Sequence, residues 1–233
     1  MPKFERVFVW LGGAMFVASL ASCAYTYMFR WAGPEPAGRS TAIVIDAALL
    51  TLFAAHHSLL ARAPLKRRLE RIVPHRLIRA VYVWVASGLL LLVLGFWDPI
   101  GGTVYQANGI IRVGLAAVQV AGVLLIARSV ATIDPLELAG IRDAADSATS
   151  PSKEGLQEGG PYRLVRHPLY LGWILVVFGA AHMTGDRLAF AVMTTIYLVV
   201  AIPWEERSLR DMFGAEYERY ERRVRWRILP YIY

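Results

Sequence analysis

Long apolar runs separated by short polar segments dominate the chain. Four of these runs reach, or nearly reach, the roughly 20 helical residues that are needed to cross a hydrocarbon core. They are Val7–Phe29, Thr41–Leu60, Ala80–Trp97 and Val113–Val130. A fifth apolar stretch, Leu169–Trp204, is about twice as long as a single span requires. The pattern therefore predicts a polytopic membrane protein.

The fifth stretch is interrupted by the polar, turn-like tetrad Thr184-Gly185-Asp186-Arg187. The interruption predicts a tight helical hairpin, whose first arm, about Leu169–Met183, is short for a full span. We therefore predict an all-α, polytopic transmembrane helical bundle. It has about six membrane segments, or five if the short arm does not cross.

Basic residues are distributed unevenly between the two sides of this topology. If both termini are cytoplasmic, 21 of the 25 Lys and Arg residues lie inside, and only Arg30, Arg39, Arg112 and Arg187 lie outside. This bias obeys the positive-inside rule and predicts an integral protein of the bacterial inner membrane with a cytoplasmic active site. The basic residues flank spans, so membrane lipids rather than nucleic acid are the expected partner of the net charge of +7. The pattern gives no oligomeric state.

The polar segments suggest how a single membrane domain is organised. Residues 1–130 form a four-span N-terminal part, residues 131–160 a polar cytoplasmic loop, and residues 161–227 the hairpin and its tail. The loop is rich in Gly, Pro and Ser, and the pattern leaves open whether residues 143–160 close as a lid. Charged positions around a stripe of three aromatic residues predict an amphipathic tail helix on the cytoplasmic face. A second surface helix is predicted over Arg62–Arg79, where basic residues cluster.

Ionisable side chains lie at both ends of the C-terminal hairpin. His167-Pro168 begins the first arm, because proline fits the first turn of a helix, and Glu205-Glu206 follows the second arm. A helix N-terminus with Arg166 and His167 suits an anionic group, whereas two carboxylates suit an ammonium group or ribose hydroxyls. A ligand with a carboxylate, an ammonium group and a ribose would match, and S-adenosylmethionine carries all three.

Two motifs at these ends resemble a known family. Gly-Pro-Tyr-x-x-Val-Arg-His-Pro-x-Tyr-x-Gly begins at Gly160, and Glu-Glu-Arg-x-Leu-x-x-x-Phe-Gly-x-Glu-Tyr-x-x-Tyr begins at Glu205. Together they closely resemble the C-terminal signature of the isoprenylcysteine carboxyl methyltransferase and phospholipid methyltransferase superfamily. The resemblance covers roughly Gly160–Val224 and implies an integral-membrane methyltransferase that uses S-adenosylmethionine. By position, the resemblance implies a cofactor site formed by Tyr162, His167, Tyr170, Leu171, Gly172, Glu205 and Glu206. The charge argument above adds Arg166 to this site.

The N-terminal half is similar to one branch of that superfamily. His56-His-Ser-x-x-x-Arg62 and Trp97-x-Pro-Ile-Gly-Gly102 resemble the methanethiol S-methyltransferase and NnrU-like branch. This implies methyl transfer within the membrane to a small thiol or another lipophilic acceptor, with methanethiol-type S-methylation favoured. The sequence departs from the branch at Asp134–Glu137, where the branch has a His-Phe-Asp type segment.

Two alternatives stay open at this point. In the first, the enzyme is a carboxyl or lipid methyltransferase, and the methyl acceptor is a prenyl-cysteine-like molecule or a phospholipid. A protein of a different class, a haem- or metal-binding NnrU-like membrane protein, would use His56 and His57. No metal site is otherwise predicted, and no cysteine or serine is placed as a covalent nucleophile, which favours direct transfer.

Two charged residues lie within predicted spans. Arg128 lies near the cytoplasmic end of an apolar run, where an arginine is costly unless it is paired or reaches the interface. By rough position it resembles an arginine that orients the acceptor in isoprenylcysteine methyltransferases, so we predict a catalytic role on the acceptor side. The alternative is an arginine that snorkels to the interface and has no role. Asp46 also requires a partner or a proton, and the sequence does not assign its role.

Overall fold

The computed structural model describes residues 2–33, 38, 41–60, 68–69, 71–132, 136, 139–141 and 155–233. These residues are mostly helical. The helices are α1 (Lys3–Met28), α2 (Ala42–Leu60), α3 (His75–Gly95), α4 (Gly109–Val130), α5 (Pro168–Phe178), α6 (Gly185–Phe213) and α7 (Ala215–Arg223). Short 3-10 helices cover Arg30–Ala32 and Gly160–Arg163, and the two strands are β1 (Thr103–Gln106) and β2 (His182–Thr184).

Four helices in the described part of the chain are long and apolar enough to cross a membrane. These are α1 with its 3-10 extension, α3, α4 and α6. The apolar parts of α2 and α5, Ala42–His56 and Pro168–Phe178, are shorter. Large hydrophobic side chains such as Ile110 and Val44 are exposed on these helices, as expected where lipid replaces water. The protein is an integral membrane protein, and the count of six spans stays a prediction.

The chain divides into two compact units. Unit 1 comprises Met1–Gly102 and Pro135–Lys153, and unit 2 comprises Thr103–Asp134 and Glu154–Tyr233. Unit 2 contains both polar clusters that the sequence analysis singles out.

Unit 1 is built on close packing between α1 and α3. Trp84 stacks on Phe8 with ring centroids 5.6 Å apart, and its indole Nε1 donates to the main-chain oxygen of Phe8 at 3.0 Å. A Cβ on Gly12 would lie 2.8 Å from that Nε1, so this position needs glycine. The buried carboxylate of Asp46 in α2 accepts a hydrogen bond from the main-chain N–H of Asp98 at 2.9 Å. Asp46 therefore fixes the segment that follows α3.

Unit 2 is built on an equally close approach of α4 and α5. A Cβ on Gly122 would lie 2.7 Å from the main-chain oxygen of Gly172, and a Cβ on Gly172 would lie 2.8 Å from Cγ1 of Ile126. Glycine at both positions lets the helix backbones touch, as small residues do in many membrane helix pairs. The side-chain amide of Gln119 adds a hydrogen bond to the main-chain oxygen of Val176 at 2.9 Å. The middle of α5, which includes the predicted site residue Gly172, is thereby held against α4.

The connection between α5 and α6 differs from the predicted turn. The helix α6 begins at Gly185, so Gly185, Asp186 and Arg187 form its first turn, and Thr184 caps it by accepting from the main-chain N–H of Arg187 at 3.3 Å. The residues before it form β2, which pairs antiparallel with β1; Tyr105 faces Met183 in the register. The prediction of an all-α fold therefore missed a two-stranded sheet. Short strands lack a periodic signal, and this pairing joins segments far apart in sequence.

The tail contains a helix break and a small apolar cluster. The break is Gly214, whose φ of 50° lies in a region that glycine tolerates best. Beyond it, α7 buries Tyr217 and Tyr220, which form a cluster with Val224, Leu156, Leu209 and Phe213. Residues 61–67 and 70 of the predicted surface helix lie outside the described residues, as do residues 143–154 of the segment for which the sequence leaves a lid role open.

Candidate active site

The first turn of α5 and the last third of α6 bring the two polar clusters together. His167 is the N-cap residue of α5, and Glu205 and Glu206 lie on α6. The Nε atom of Arg166 donates to Oε1 of Glu206 at 2.7 Å. Nε2 of His167 lies 3.4 Å from the same oxygen. The carboxylates and the His-Pro segment therefore form one connected cluster in unit 2.

Glu206 is enclosed by cationic groups. Its side chain is 0% exposed. Its Oε2 accepts from Nε of Arg227 at 3.1 Å and lies 3.7 Å from the guanidinium of Arg210, four residues along the helix. A buried carboxylate is tolerated only when it is well paired, and both oxygens of Glu206 are occupied in this way. Glu206 therefore joins α6 to Arg166 and His167 before α5 and to Arg227 after α7.

Glu205 differs from its neighbour in exposure and in partners. Its side chain is 41% exposed. The hydroxyl of Tyr170 donates a hydrogen bond to its Oε1, and Nδ1 of His167 lies 3.7 Å from its Oε2. The rings of Tyr170 and His167 stack with their centroids 5.2 Å apart. An oriented and accessible carboxylate therefore lies beside a rigid pair of rings.

Arg166 is held by the protein on several sides. Its side chain is 7% exposed, and besides Glu206 its guanidinium donates to the main-chain oxygens of Val224 at 2.9 Å and Arg225 at 3.0 Å. Its Nη2 atom also lies 3.9 Å from Oε1 of Glu221, so protein acceptors lie around the guanidinium. Arg166 joins α6 to the segment that follows α7.

That segment, Val224–Tyr233, is called here the C-terminal strap. Its main chain accepts from the N–H groups of the site: the N–H of Arg166 donates to Trp226 at 2.9 Å, and that of His167 donates to Arg227 at 2.8 Å. The guanidinium of Arg227 also donates to the hydroxyl of Tyr233 at 3.2 Å. The strap is therefore a wall of the site, fixed by main-chain and side-chain contacts.

Tyr162 is positioned by α7. The hydroxyl of Tyr220 donates to the main-chain oxygen of Tyr162 at 2.8 Å. Burial raises the pKa of the Tyr162 phenol, although a hydrogen bond with Thr132 opposes the shift. Burial also raises the pKa values of Tyr217 and Tyr220, so these phenols stay neutral at physiological pH. The segment that carries Tyr162 is thereby joined to the apolar cluster of the tail.

The remaining predicted residues lie on α5 and α4. Leu171 and Gly172 are in the first turns of α5, and the close approach of α4 accounts for glycine at position 172. Arg128 is exposed in the last turn of α4, and among the described residues no hydrogen bond or ion pair joins it to the carboxylates.

The histidines of the haem alternative lie in unit 1. His56 is half-buried and stacks on Tyr82 with centroids 5.6 Å apart, while the side chain of His57 is outside the described part of the structure. Within the described ranges there is no group of three or more His, Cys, Asp or Glu side chains that could hold a metal ion.

Sequence reasoning missed several partners of Glu206. Arg210 could have been found, because a basic residue four positions after a glutamate on a helix is its natural partner. Arg227 carries no local signal, since it reaches Glu206 only when the strap folds back onto the site. One general indication of such partners was available from the sequence, which is that a carboxylate buried in a protein requires cationic groups around it.

The sequence is similar to those of known methyltransferases. The model of the phospholipid methyltransferase family matches residues 117–216, which contain Arg128 and all the predicted cofactor-binding residues. Methanethiol S-methyltransferase 2 of Bradyrhizobium diazoefficiens is 38% identical over 192 residues, covering 82% of this chain and 74% of that protein. Methanethiol S-methyltransferase of Crocosphaera subtropica is 35% identical over 195 residues, covering 82% and 76%. The chain belongs to the methanethiol S-methyltransferase family.

Family membership makes the protein a methyltransferase. A more distant relative, a probable protein-S-isoprenylcysteine O-methyltransferase of rice, is 38% identical over 68 residues, which cover 28% of this chain and 36% of that protein. No solved structure matches the chain. The family model ends before the strap, so the partners that the strap contributes to the cluster lie beyond the matched segment.

Proposed function

We propose that the protein transfers a methyl group from S-adenosylmethionine to a small thiol of the methanethiol type. The thiol is supported by relatives named methanethiol S-methyltransferase that match over most of the chain. The donor is supported by one structural observation: Glu205 presents an oriented, partly exposed carboxylate within a cluster connected by ion pairs and hydrogen bonds.

The residues fit the chemistry of the donor. A carboxylate that already accepts from Tyr170 retains lone pairs for an ammonium group or ribose hydroxyls, and Glu205 has the exposure to meet them. The N-terminal end of α5 favours the donor's carboxylate electrostatically. In this proposal Arg166, His167 and Glu206 hold that end in place. Tyr162, Leu171 and Gly172 are assigned to the wall of the site by their positions in the motif.

The donor, when bound, supplies an electrophilic methyl carbon on a sulfonium. The acceptor thiol would first release its proton to water, because the thiolate is the nucleophile. The thiolate sulfur would then form a bond with this carbon as the carbon–sulfonium bond breaks, and the donor would leave as the neutral thioether S-adenosylhomocysteine. The protein contributes mainly by positioning the two reactants in line and excluding water. Arg128, whose guanidinium is exposed at the end of α4, is proposed to stabilise the thiolate on the acceptor side.

The location of the site follows from the same proposal. Both termini and the carboxylate cluster are placed on the cytoplasmic side of the bacterial inner membrane, because that orientation puts most basic residues inside. A charged donor then enters from the cytoplasm, and an apolar acceptor reaches the site through the bilayer.

A methyl-transfer assay with purified protein in nanodiscs tests the proposal. S-adenosylmethionine with a radiolabelled methyl group is offered with methanethiol, a prenyl-cysteine or a phospholipid. We expect label in dimethyl sulfide. Label only in a prenyl-cysteine ester would instead support the carboxyl acceptor suggested by the short match to the rice protein. A Soret band in the visible spectrum of the same preparation would favour the haem-binding alternative.

A further inference from the structure

We propose that Arg227 is a positioning residue of the methyl-donor site. It holds Glu206 from the strap side and, through Glu206, fixes the ring of His167 beside the accessible carboxylate of Glu205. The inference rests on the proposed function and adds a residue that neither motif contains.

The oxygens of Glu206 are divided between two sets of partners. Oε1 belongs to Arg166 and His167, whereas Oε2 accepts from Arg227 at 3.1 Å. If the guanidinium of Arg227 were removed, Oε2 would keep only the contact with Arg210 at 3.7 Å. Because Glu206 is 0% exposed, water cannot readily replace the lost donor. The carboxylate would then be expected to turn, and Oε1 would leave His167.

Arg227 also contacts the His-Pro segment through its main chain. Its main-chain oxygen accepts from the N–H of His167 at 2.8 Å, while its side chain reaches the carboxylate that faces the ring of His167. His167 is thereby fixed at its backbone and at its ring by one residue of the strap. Since His167 stacks on Tyr170 and Tyr170 orients Glu205, a continuous line of contacts runs from Arg227 to the proposed ligand carboxylate.

The structure separates this role from general stabilisation. The side chain of Arg227 is 32% exposed, and the main-chain hydrogen bonds of the strap do not involve its guanidinium. The N–H groups of Arg227, Ile228 and Leu229 all donate to the main-chain oxygen of Tyr233 at 2.9, 2.9 and 3.1 Å. Removing the guanidinium loses its hydrogen bond to the hydroxyl of Tyr233 but keeps these main-chain bonds, so the strap should stay in place while the carboxylate is disturbed.

Substitutions at Arg227, with a matched control, test the inference. Arg227→Gln and Arg227→Lys are compared with Arg222→Gln, which removes the same charge from an exposed position of α7. Affinity for S-adenosylhomocysteine is measured by calorimetry in nanodiscs, together with thermal stability, and KM for S-adenosylmethionine and kcat are measured with methanethiol.

For Arg227→Gln we expect Kd and KM to rise about tenfold, as the loss of one charge-assisted hydrogen bond permits, with a smaller change in kcat. Arg227→Lys should recover part of the affinity, because an ammonium can make one of these contacts. Arg222→Gln should stay within about twofold of the wild type. In a Glu206→Gln background, Arg227→Gln should add little, because both substitutions break the same contact.

Unchanged affinity in a folded Arg227→Gln variant would overturn the inference. So would full additivity with Glu206→Gln. If the Gln variant does not fold, the Lys variant decides: affinity equal to that of the wild type counts against the inference, and a several-fold loss supports it. A wild type that binds S-adenosylhomocysteine but methylates no thiol would overturn the proposed acceptor and leave this inference standing. A wild type that does not bind it would overturn both.

Discussion

The hydroxyl of Tyr170 donates a hydrogen bond to Glu205, the member of the adjacent carboxylate pair that stays partly exposed. The other member, Glu206, lies one residue further along α6 and is closed off by arginines. The surroundings of these two identical side chains thus differ, and we propose that Glu205 is presented to the ligand while Glu206 holds the site together. The first three predictions below depend on this division.

Glu205→Gln should weaken donor binding without unfolding the protein. The substitution keeps the shape but removes the charge that an ammonium group would meet, so Kd for S-adenosylhomocysteine should rise about tenfold. Calorimetry with the purified variant measures this directly. Asp211→Asn, which removes one exposed carboxylate further along the same helix, serves as the control and should bind normally. Equal affinities of the two variants would remove Glu205 from the site.

Tyr170→Phe should reproduce part of that loss. The ring still stacks on His167, but Glu205 loses the donor that orients it, and a weakening of several-fold is expected. In a double-mutant cycle, the effects of Tyr170→Phe and Glu205→Gln should be less than additive, because both act through one hydrogen bond. Strict additivity of the two free-energy changes would show that Tyr170 acts elsewhere.

Glu206→Ala should mainly destabilise the fold. The substitution leaves Arg166 and Arg227 without their shared buried carboxylate, and breaking such a buried pair costs about 3–5 kcal/mol. The midpoint of thermal unfolding in detergent should fall clearly below that of Glu216→Ala, an exposed substitution on α7. Similar midpoints for the two variants would contradict the organising role of Glu206.

Gly122→Ala should disturb the contact between α4 and α5. Its new methyl group would lie 2.7 Å from the main-chain oxygen of Gly172, so the helices must separate, at a cost of about 1–3 kcal/mol. Gly114→Ala on the same helix meets nothing within 4 Å and should be neutral or slightly stabilising. The two unfolding midpoints measured side by side provide the check. Equal midpoints would mean that the close approach is not needed.

Much of the helical framework could be predicted because it depends on long apolar runs. The runs identify the helices that form the membrane part, and the positions of the His-Pro segment and Glu205 indicate that they share one end of the hairpin. The sheet between β1 and β2 could not be predicted, since its strands are short and distant in sequence. The interrupting tetrad Thr184–Arg187 is the last residue of β2 and the first turn of α6, which the pattern did not distinguish from a turn.

The candidate site could be predicted only in part from the sequence. Motif and charge indicated both carboxylates, but nothing in the pattern distinguished Glu205 from Glu206. That difference arises from burial and from Arg227, which reaches the cluster only when the strap folds back. The close packing of Gly172 against α4 likewise depends on a partner helix.

The central claim is methyl transfer from S-adenosylmethionine to a small thiol. In its most direct test, the purified protein in nanodiscs is incubated with methanethiol and with S-adenosylmethionine that carries a trideuterated methyl group. The gas above the solution is then analysed by mass spectrometry. We expect dimethyl sulfide that is three mass units heavier than the unlabelled compound. Folded protein that binds S-adenosylhomocysteine but yields no labelled dimethyl sulfide would contradict the claim.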